Sequence, residues 1–270
     1  MQTIFFTFVF IFGTIIGSFL NVVLCRYGTG RSLGGRSKCA VTGKTLKWYE
    51  LIPIISFIIQ GGRSRYSKTR ISLQYPLVEF FTGLLFLLIS KKLLTICFDI
   101  KIYIVALIFY FIIASFLVLI FVYDLKHKII PDAFIFPLIF LSLIFVFLNL
   151  FLPTNFLLLN HGNLSVFLAG PLVSLPILLI WFFTKGRGMG FGDVLLTIPI
   201  GWLLGLSAGF ASILLAFWIG AIFGIFLIVV GKKNIKDQIP FGPFLILGFV
   251  LSLLYNIDMS LIADFFSRII

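Results

Sequence analysis

The sequence predicts an all-α protein: a polytopic transmembrane helical bundle of about eight spans, with a small cytoplasmic loop insertion after the first span. Of its 270 residues 61% are hydrophobic and 11% are charged, and mean hydropathy is +1.19, which no soluble globular domain of this size shows. Long apolar runs recur from end to end. We therefore expect a first transmembrane span (1–25), a cytoplasmic loop (26–71) and a transmembrane domain (72–270).

The apolar runs give the predicted spans. In chain order they cover about residues 4–24, 73–90, 102–123, 131–152, 164–184, 193–206, 210–230 and 240–255. The first contains Gly13 and Gly17, spaced for close helix packing. It has neither a positive region before it nor a small-residue cleavage site after it, so we expect it to stay uncleaved.

Two further segments are apolar without being spans. Residues 51–59 are too few to cross a bilayer, and we expect them to be interfacial or folded against the membrane domain. The amphipathic tail, residues 259–270, is expected to lie on the surface.

Basic residues divide unevenly between the two sides of the predicted bundle. If residues 26–71 face the cytoplasm, that side holds 17 of the 21 Lys and Arg residues, which predicts an N-terminus outside. The 17 are Arg26, Arg31, Arg36, Lys38, Lys44, Lys47, Arg63, Arg65, Lys68, Arg70, Lys126, Lys128, Lys185, Arg187, Lys232, Lys233 and Lys236, and the far side keeps Lys91, Lys92, Lys101 and Arg268.

The net charge of +12 does not indicate a nucleic-acid partner, because the basic residues lie in short loops where membrane orientation requires them. The lipid bilayer, with its acidic head groups, is the expected partner of these cations. Cys25, Cys39 and Cys97 are scattered, so the sequence predicts no disulfide framework.

Residues 188–193 read Gly-Met-Gly-Phe-Gly-Asp and join two apolar runs. A carboxylate within a transmembrane helix costs roughly 2.5–3.5 kcal/mol at mid-bilayer and less near the interface, so Asp193 indicates a site. The glycines Gly188, Gly190 and Gly192 would allow close backbone approach and positive φ. Asp193 could also act as the N-cap of the helix that follows.

The predicted topology places Asp124, Asp132 and Asp193 on helix ends at one membrane level, where we expect two of them to face each other. Two neighbouring carboxylates share one proton, because ionising both of them would place two like charges close together. The ionised member can take a proton from a water that attacks a peptide carbonyl, and the protonated member can assist the leaving amine. His127 and His161 are predicted on opposite faces, so no His cluster for a metal is expected.

Five ordered blocks resemble the type IV prepilin peptidases, a bacterial family of GxGD-type membrane aspartyl proteases. The blocks are Gly-Ser-Phe-Leu-Asn at 17–21 with Arg26, Tyr-Pro-Leu-Val-Glu at 75–79, Asp124 through Ile-Pro-Asp at 130–132, the block at 188–193, and Ile-Pro-Phe-Gly-Pro-Phe at 239–244. They cover nearly the whole chain.

The resemblance implies that Asp124 and Asp193 are the catalytic pair, supported by Asp132, Gly190, Gly192 and Glu79. The family removes the short basic leader from prepilins and pseudopilins in the bacterial inner membrane, and many members then N-methylate the new terminus with S-adenosylmethionine. Asp132, after Pro131, also suits a plain helix start. Glu79 could pair with a basic loop residue or touch substrate or methyl donor.

The cytoplasmic loop departs from the family pattern. Typical members carry two Cys-x-x-Cys pairs that bind zinc, whereas here Cys39-x-x-Thr42 keeps one cysteine and Ser64-x-x-Ser67 keeps none. One soft ligand does not make a four-coordinate zinc site, so zinc is not expected. Since the loop belongs to the part linked with methylation, methyltransferase activity stays open.

Three alternatives fit some of the same residues. A GxGD protease of the presenilin or signal-peptide-peptidase kind would share Asp124 and Asp193, although the Ile-Pro-Phe-Gly-Pro block stands where a Pro-Ala-Leu motif would. A carrier could use intramembrane carboxylates to move protons or cations, but no internal repeat is visible. A peptidase-derived assembly factor would keep the fold alone, against which the intact aspartate pair argues.

Overall fold

The computed structural model describes residues 2–39, 41–97, 99–151, 165–231 and 238–268. Within these ranges it is all-helical, which confirms the predicted fold class. Its α-helices are α1 (Gln2–Arg26), α2 (Ile55–Ile59), α3 (Gln74–Leu94), α4 (Ile100–His127), α5 (Asp132–Phe151), α6 (Ser165–Thr184), α7 (Phe191–Val229), α8 (Gly242–Tyr255) and α9 (Met259–Ser267), with a 3₁₀ turn at Trp48–Leu51. Lys232, Lys233, Lys236, His161 and the predicted loop after α5 lie outside the described residues.

Several helices are long and apolar enough to cross a membrane, so this is a multi-pass membrane protein. By length and composition α1, α4, α6 and α7 qualify, and α8 with α9, bent by 85°, would make a fifth. The predicted count of eight is therefore not confirmed. Of the remaining predicted spans, α3 carries three charged side chains and α5 is apolar over a shorter stretch.

The sixth and seventh predicted spans are one helix, α7, of 39 residues. It is broken at Gly205, whose φ of 79° and ψ of −178° are not helical. Positive φ costs glycine little, so the break falls at this residue. The two halves of α7 correspond to the two predicted spans on either side of the break.

The chain forms two compact units, Met1–Leu119 (unit 1) and Ile120–Ile270 (unit 2). In unit 1, α1 packs on α3 through glycine, as the spacing of Gly13 and Gly17 predicts. A Cβ added at Gly13 would lie 2.8 Å from the Cα of Gly83, and one added at Gly17 would lie 2.8 Å from the Cα of Glu79. The beginning of α4 completes this unit, where Phe111 stacks on Phe86 with ring centroids 4.0 Å apart.

The loop of unit 1 contains two turns with the same backbone hydrogen bonds. In the first, the Cys39 N–H donates to Lys44 O and the Gly43 N–H donates to Cys39 O. The second repeats this spacing, with the Ser64 N–H bonded to Thr69 O and the Lys68 N–H bonded to Ser64 O. An isolated antiparallel bridge closes each turn. We call this pair of turns the paired knuckles.

In unit 2, α7 packs against α5, α6, α8 and α9. Small residues allow these approaches: a Cβ added at Gly201 would lie 2.5 Å from Ala169 O, and one added at Gly248 would clash with Ser212 O. The Trp202 indole N–H donates to Phe167 O over 2.9 Å, which satisfies its polar atom within the bundle.

The predicted surface tail is helix α9, described as far as residue 268. Its N-cap is Asp258, whose side chain accepts from the Leu261 N–H, and Ile262 is its buried residue. Leu261, Phe265 and Phe266 are exposed, so part of the apolar surface of α9 is left uncovered by the described residues.

Candidate active site

Asp124 lies in the last turn of α4 and is buried, with 4% of its surface exposed. Its Oδ2 accepts a hydrogen bond from the Gly242 N–H at 3.1 Å. Gly242 is the first residue of α8, where backbone N–H groups have no partner within the helix and the helix dipole favours negative charge. The start of α8 thus supplies both a donor and a favourable field to this carboxylate.

Asp193 lies in the first turn of α7 and is also buried, with 8% of its surface exposed. Gly190 is the N-cap, and the Asp193 Oδ2 reaches back to accept from the Gly190 N–H at 3.3 Å. The alternative that Asp193 is itself the N-cap is therefore wrong. The carboxylate lies at the third helical position, where an acidic side chain bonds the N-cap amide.

The structure brings Asp124 and Asp193 together around Ile130. A Cβ added at Gly192 would lie 3.0 Å from the Ile130 Cβ, and one added at Gly242 would lie 3.3 Å from the Ile130 Cδ1. Each aspartate neighbours or bonds one of these glycines, so Ile130 separates the two helix starts by one side chain. The carboxylates are close enough for the charge of Asp124 to act on Asp193.

The glycines of residues 188–193 serve close approach and not positive φ. None of Gly188, Gly190 and Gly192 has positive φ, and the left-handed residues nearby are Lys185 and Gly186. The positive φ that glycine permits is thus not used within the block. At Gly192 any side chain would press on Ile130, and at Gly190 a Cβ would lie 3.5 Å from the Asp193 Oδ2.

Asp132 differs from the two buried acids in its exposure. It is the first residue of α5 and is exposed, in keeping with the helix-start interpretation. His127 is also exposed, and its ring lies 4.3 Å from that of Tyr123 between centroids. Among the described residues, no group of three or more His, Cys, Asp or Glu side chains could hold a metal ion.

Glu79 belongs to unit 1, buried in the second turn of α3. Its Oε2 accepts from the Ile54 N–H at 2.7 Å. The partner from the loop is therefore a backbone amide, and the described part of the chain shows no basic side chain paired with Glu79. Pairing with a basic loop residue is not seen among the described residues, and contact with substrate or methyl donor stays a prediction.

A cavity of about 1180 Å³ lies in unit 1, between the loop, the end of α1 and the beginning of α3. Its inner wall includes Asn21, Tyr75 and Glu79, and the Asn21 amide is oriented by its bond to Tyr75 O at 3.1 Å. Cys39 and Ser64 of the paired knuckles line the other side. The cavity is large enough for a small-molecule ligand.

The paired knuckles meet through Cys39, which is buried. Its Sγ lies 3.6 Å from Ser64 Oγ and 3.7 Å from Ser67 Oγ. Hydrogen bonds from the Thr42 side chain, then the Thr42 backbone, then Ser64 lower the pKa of the thiol from 9.0 to about 6. One thiol among three hydroxyls does not suit zinc, which binds thiolate, imidazole or carboxylate.

Two contacts escaped sequence reasoning. The Gly242 amide meets Asp124 across 118 residues of chain, and the Ile54 amide meets Glu79 across 25. The sequence predicts a span that begins near residue 240, but nothing in it pairs the start of that span with Asp124. No local pattern marks Ile54.

Comparison with known proteins gives two matching family models. Residues 11–93 match the bacterial peptidase A24 N-terminal domain, and residues 111–225 match the type IV leader peptidase family. Together they cover the first span with the loop, and the region of both aspartates.

Several curated relatives are named prepilin leader peptidase/N-methyltransferase. The one from Xanthomonas campestris is 32% identical, over 86% of this chain and 85% of the relative. Those from Bacillus subtilis (29% identical; 92% of this chain, 93% of the relative) and Aeromonas salmonicida (30%; 94% and 91%) are similar over almost their full lengths. No solved structure matches the chain. On this identity and coverage, the chain belongs to the type IV leader peptidase family.

Proposed function

We propose that this protein is a membrane aspartic endopeptidase that removes the short basic leader from type IV prepilins and pseudopilins, with Asp124 and Asp193 as its catalytic pair. The observation that carries the assignment is the convergence of two buried carboxylates on Ile130, each held by a backbone amide at a helix start. Burying acids is costly, and a scaffold has no need of two at one place.

The pair provides both halves of acid–base hydrolysis. Each carboxylate uses Oδ2 for its backbone amide, so Oδ1 can face water or the scissile carbonyl. The ionised member removes a proton from water as the water oxygen attacks the carbonyl carbon. The protonated member hydrogen-bonds the carbonyl oxygen, and the leaving amine nitrogen receives a proton as the C–N bond breaks. Such assistance contributes roughly 10²–10⁴-fold.

The backbone amides keep this geometry without adding a second charge. Gly242 and Gly190 donate to the carboxylates, so neither acid needs a lysine or arginine partner that would lock it in the ionised state. The two acids titrate as one unit, and the roles of acid and base belong to the pair. Asp132, exposed at the start of α5, takes no part in the chemistry.

N-methylation of the new terminus forms the second activity, with unit 1 as the site of the methyl donor. S-adenosylmethionine has hydroxyls, an amine and a cationic sulfur, and the inner wall of the cavity offers the Asn21 amide, the Tyr75 ring and the Glu79 carboxylate. These residues would hold it. When bound, it supplies a methyl group to the uncharged amine of the cleaved product. Zinc has no place in this proposal, since the paired knuckles carry one thiol.

The membrane orientation follows from charge. With 17 of 21 basic residues on one predicted side, that side is cytoplasmic, the N-terminus is outside, and both aspartates open toward the inner leaflet of the bacterial inner membrane. Prepilin leaders are themselves basic, so the loop cations attract lipid head groups and not the substrate.

The test is leader removal from a co-expressed prepilin by the full chain carrying Asp124→Asn or Asp193→Asn. Each change should reduce cleavage at least roughly 10²-fold, because one member of the acid–base pair is lost. Membrane insertion and abundance should stay unchanged. Asp132→Asn is the matched control and should cleave normally. Retained cleavage in either catalytic variant would exclude the pair.

A second substrate separates the alternatives. A remnant signal peptide, offered to the same membranes, should stay intact if the enzyme is a prepilin peptidase and be cut if it is a protease of the signal-peptide-peptidase kind. Mass spectrometry of the mature prepilin N-terminus then tests methylation directly, since the mass of one methyl group is present or absent.

A further inference from the structure

Residues 48–59 of unit 1 expose an unusual amount of apolar surface. Trp48 is 75% exposed, and Ile58 and Ile59 are 69% and 70% exposed, with Leu51 and Ile55 beside them. These residues form the 3₁₀ turn Trp48–Leu51 and the short helix α2. We call residues 48–59 the apolar segment. A contiguous exposed apolar surface of this kind marks a binding face.

A buried carboxylate ties this segment to helix α3, which the sequence predicts to be a span. The Ile54 N–H, at the middle of the segment, donates to the Glu79 Oε2 at 2.7 Å. Glu79 lies five residues after Gln74, the first residue of α3, which is about 7.5 Å along the helix axis. Interfacial helices lie roughly 5–10 Å into the boundary between head groups and acyl chains. The tether thus holds the segment at the depth of the membrane interface.

The backbone at the tether is strained. Ile54 has φ 61° and ψ −51°, and the Ile55 N–H donates to Pro53 O at 2.5 Å, which makes a γ-turn of the rare positive-φ kind. Positive φ in a β-branched residue is an outlier that persists where surrounding contacts hold it. The Glu79 bond is such a contact, and it orients α2 so that Ile58 and Ile59 point outward.

Charges surround the segment in the arrangement that suits an anionic bilayer. Lys47 and Arg65 lie over the Tyr49 ring, at 5.8 and 5.5 Å from its centroid, and so stay beside the apolar residues. The acid of the segment, Glu50, is buried and accepts from the Lys47 N–H and the Tyr66 hydroxyl. Its outer surface is therefore apolar and cationic, with a tryptophan of the type found at membrane interfaces.

We propose that residues 48–59 form a monotopic membrane anchor that inserts into the interface of an anionic lipid bilayer, held at that depth by the hydrogen bond from Ile54 to Glu79. The segment is too short to span, and its ends return to the polar knuckles on the same side. Lysine and arginine side chains near an anionic surface are attracted to it. The cavity of unit 1 then opens next to the lipid surface, since Leu51, Ser56 and Phe57 also line it.

The test uses the full chain in nanodiscs of phosphatidylcholine and phosphatidylglycerol. Trp48 emission is obtained as the difference between the wild-type protein and Trp48→Phe, so the other tryptophans cancel. Lipids brominated high on the acyl chains should quench most of the Trp48 emission, and aqueous acrylamide should quench little. If acrylamide quenches Trp48 and bromolipid does not, the anchor is excluded. If neither quenches it, protein covers the segment, and the proposal again fails.

A matched pair of charge substitutions gives an independent measurement. Ile58→Asp places a carboxylate on the apolar segment, and Val41→Asp places one at a similarly exposed position (67%) of the same loop. Ile58→Asp should lower the thermal stability of the protein in anionic nanodiscs, and Val41→Asp should not. Equal effects of the two changes would contradict insertion. Replacing phosphatidylglycerol by phosphatidylcholine should increase acrylamide access to Trp48, because the surrounding cations lose their partners.

Discussion

The aspartate site of unit 2 keeps the side chains of its sequence motif, whereas the paired knuckles of unit 1 have lost most of theirs. In unit 2 both acids of the motif are present, and backbone amides of Gly242 and Gly190 hold them. In the knuckles both turns keep the same backbone hydrogen bonds, but Cys39 is the one cysteine where the family resemblance implies four.

The difference shows which parts of a site are replaceable. A structural metal connects two turns, and the contacts of Cys39 with Ser64 and Ser67 connect the same two turns without it. A catalytic carboxylate transfers a proton to or from the reacting atoms, and a hydrogen-bonding neighbour that does not titrate cannot replace it. The knuckles can therefore lose cysteines and keep their backbone conformation, whereas the aspartate site cannot lose either carboxylate and keep its function.

The largest effect should come from restoring thiols to the knuckles. The Cys39 Sγ lies 3.6 and 3.7 Å from Ser64 Oγ and Ser67 Oγ, and the sulfurs of a tetrahedral site with Zn–S of about 2.3 Å lie about 3.8 Å apart. The triple variant Thr42→Cys, Ser64→Cys, Ser67→Cys should bind zinc with about 10–16 kcal/mol, measured by competition with a chromogenic chelator. The wild-type protein should melt at the same temperature with and without chelator.

The control for this variant adds Cys39→Ser, which leaves three thiols in the same loop. It should bind zinc much more weakly, because the fourth ligand is lost. Equal zinc affinity of the two proteins would mean that the knuckles do not converge on Cys39.

At the aspartate site we expect Gly242→Ala to reduce leader cleavage by about 10²-fold. A Cβ there would lie 2.7 Å from the Asp124 Oδ2, so the carboxylate or the start of α8 must shift, and displacements of this size are costly in catalysis. Gly220→Ala is the control, since its Cβ would make an ordinary contact of 3.4 Å with Phe244. Normal cleavage by Gly242→Ala, measured as initial rates on purified prepilin, would show that this close approach does not position Asp124.

A smaller effect is expected from overpacking between α1 and α3 in unit 1, and it should appear as a loss of stability. Gly17→Val would force a side chain against the Cα of Glu79, where even a Cβ lies at 2.8 Å, and overpacking of this kind costs about 1–3 kcal/mol. Thermal unfolding in detergent would measure the change. Gly34→Ala has open space around it, with Ser32 Oγ at 3.6 Å as its nearest contact, and should be neutral.

The smallest effect is a pH dependence of the knuckles. The pKa of Cys39 is lowered from 9.0 to about 6 in the folded protein, so deprotonation favours the folded loop. This contribution is fully present above pH 9 and is lost as the pH falls through 6. Hydrogen exchange of the knuckle amides should slow from pH 6 to 9, after correction for intrinsic rates, more than in Cys39→Ser. The same pH dependence in both proteins would contradict the inference that deprotonation of Cys39 stabilises the loop.

Sequence reasoning recovered the helical class and the glycine packing of α1, and it singled out the two aspartates that the structure buries. Each of these inferences depends on residues a few positions apart. It located Asp193 by its glycines, and the structure decided between the two roles that glycine permits: Gly192 serves close approach, while the left-handed residues near the block are Lys185 and Gly186. It placed a boundary between two spans near residue 206, whereas the structure has one helix, α7, with non-helical backbone at Gly205.

The sequence by itself determined the membrane class, the order of the helices and the identity of the two acids, because hydrophobic runs and short motifs are properties of neighbouring residues. Only the tertiary structure decided that the Gly242 amide meets Asp124 and that the Ile54 amide meets Glu79. Hydrogen bonds between distant segments depend on how helices pack, and packing leaves no periodic signal along the chain. The partners of the buried carboxylates therefore became visible only when the helices were placed beside one another.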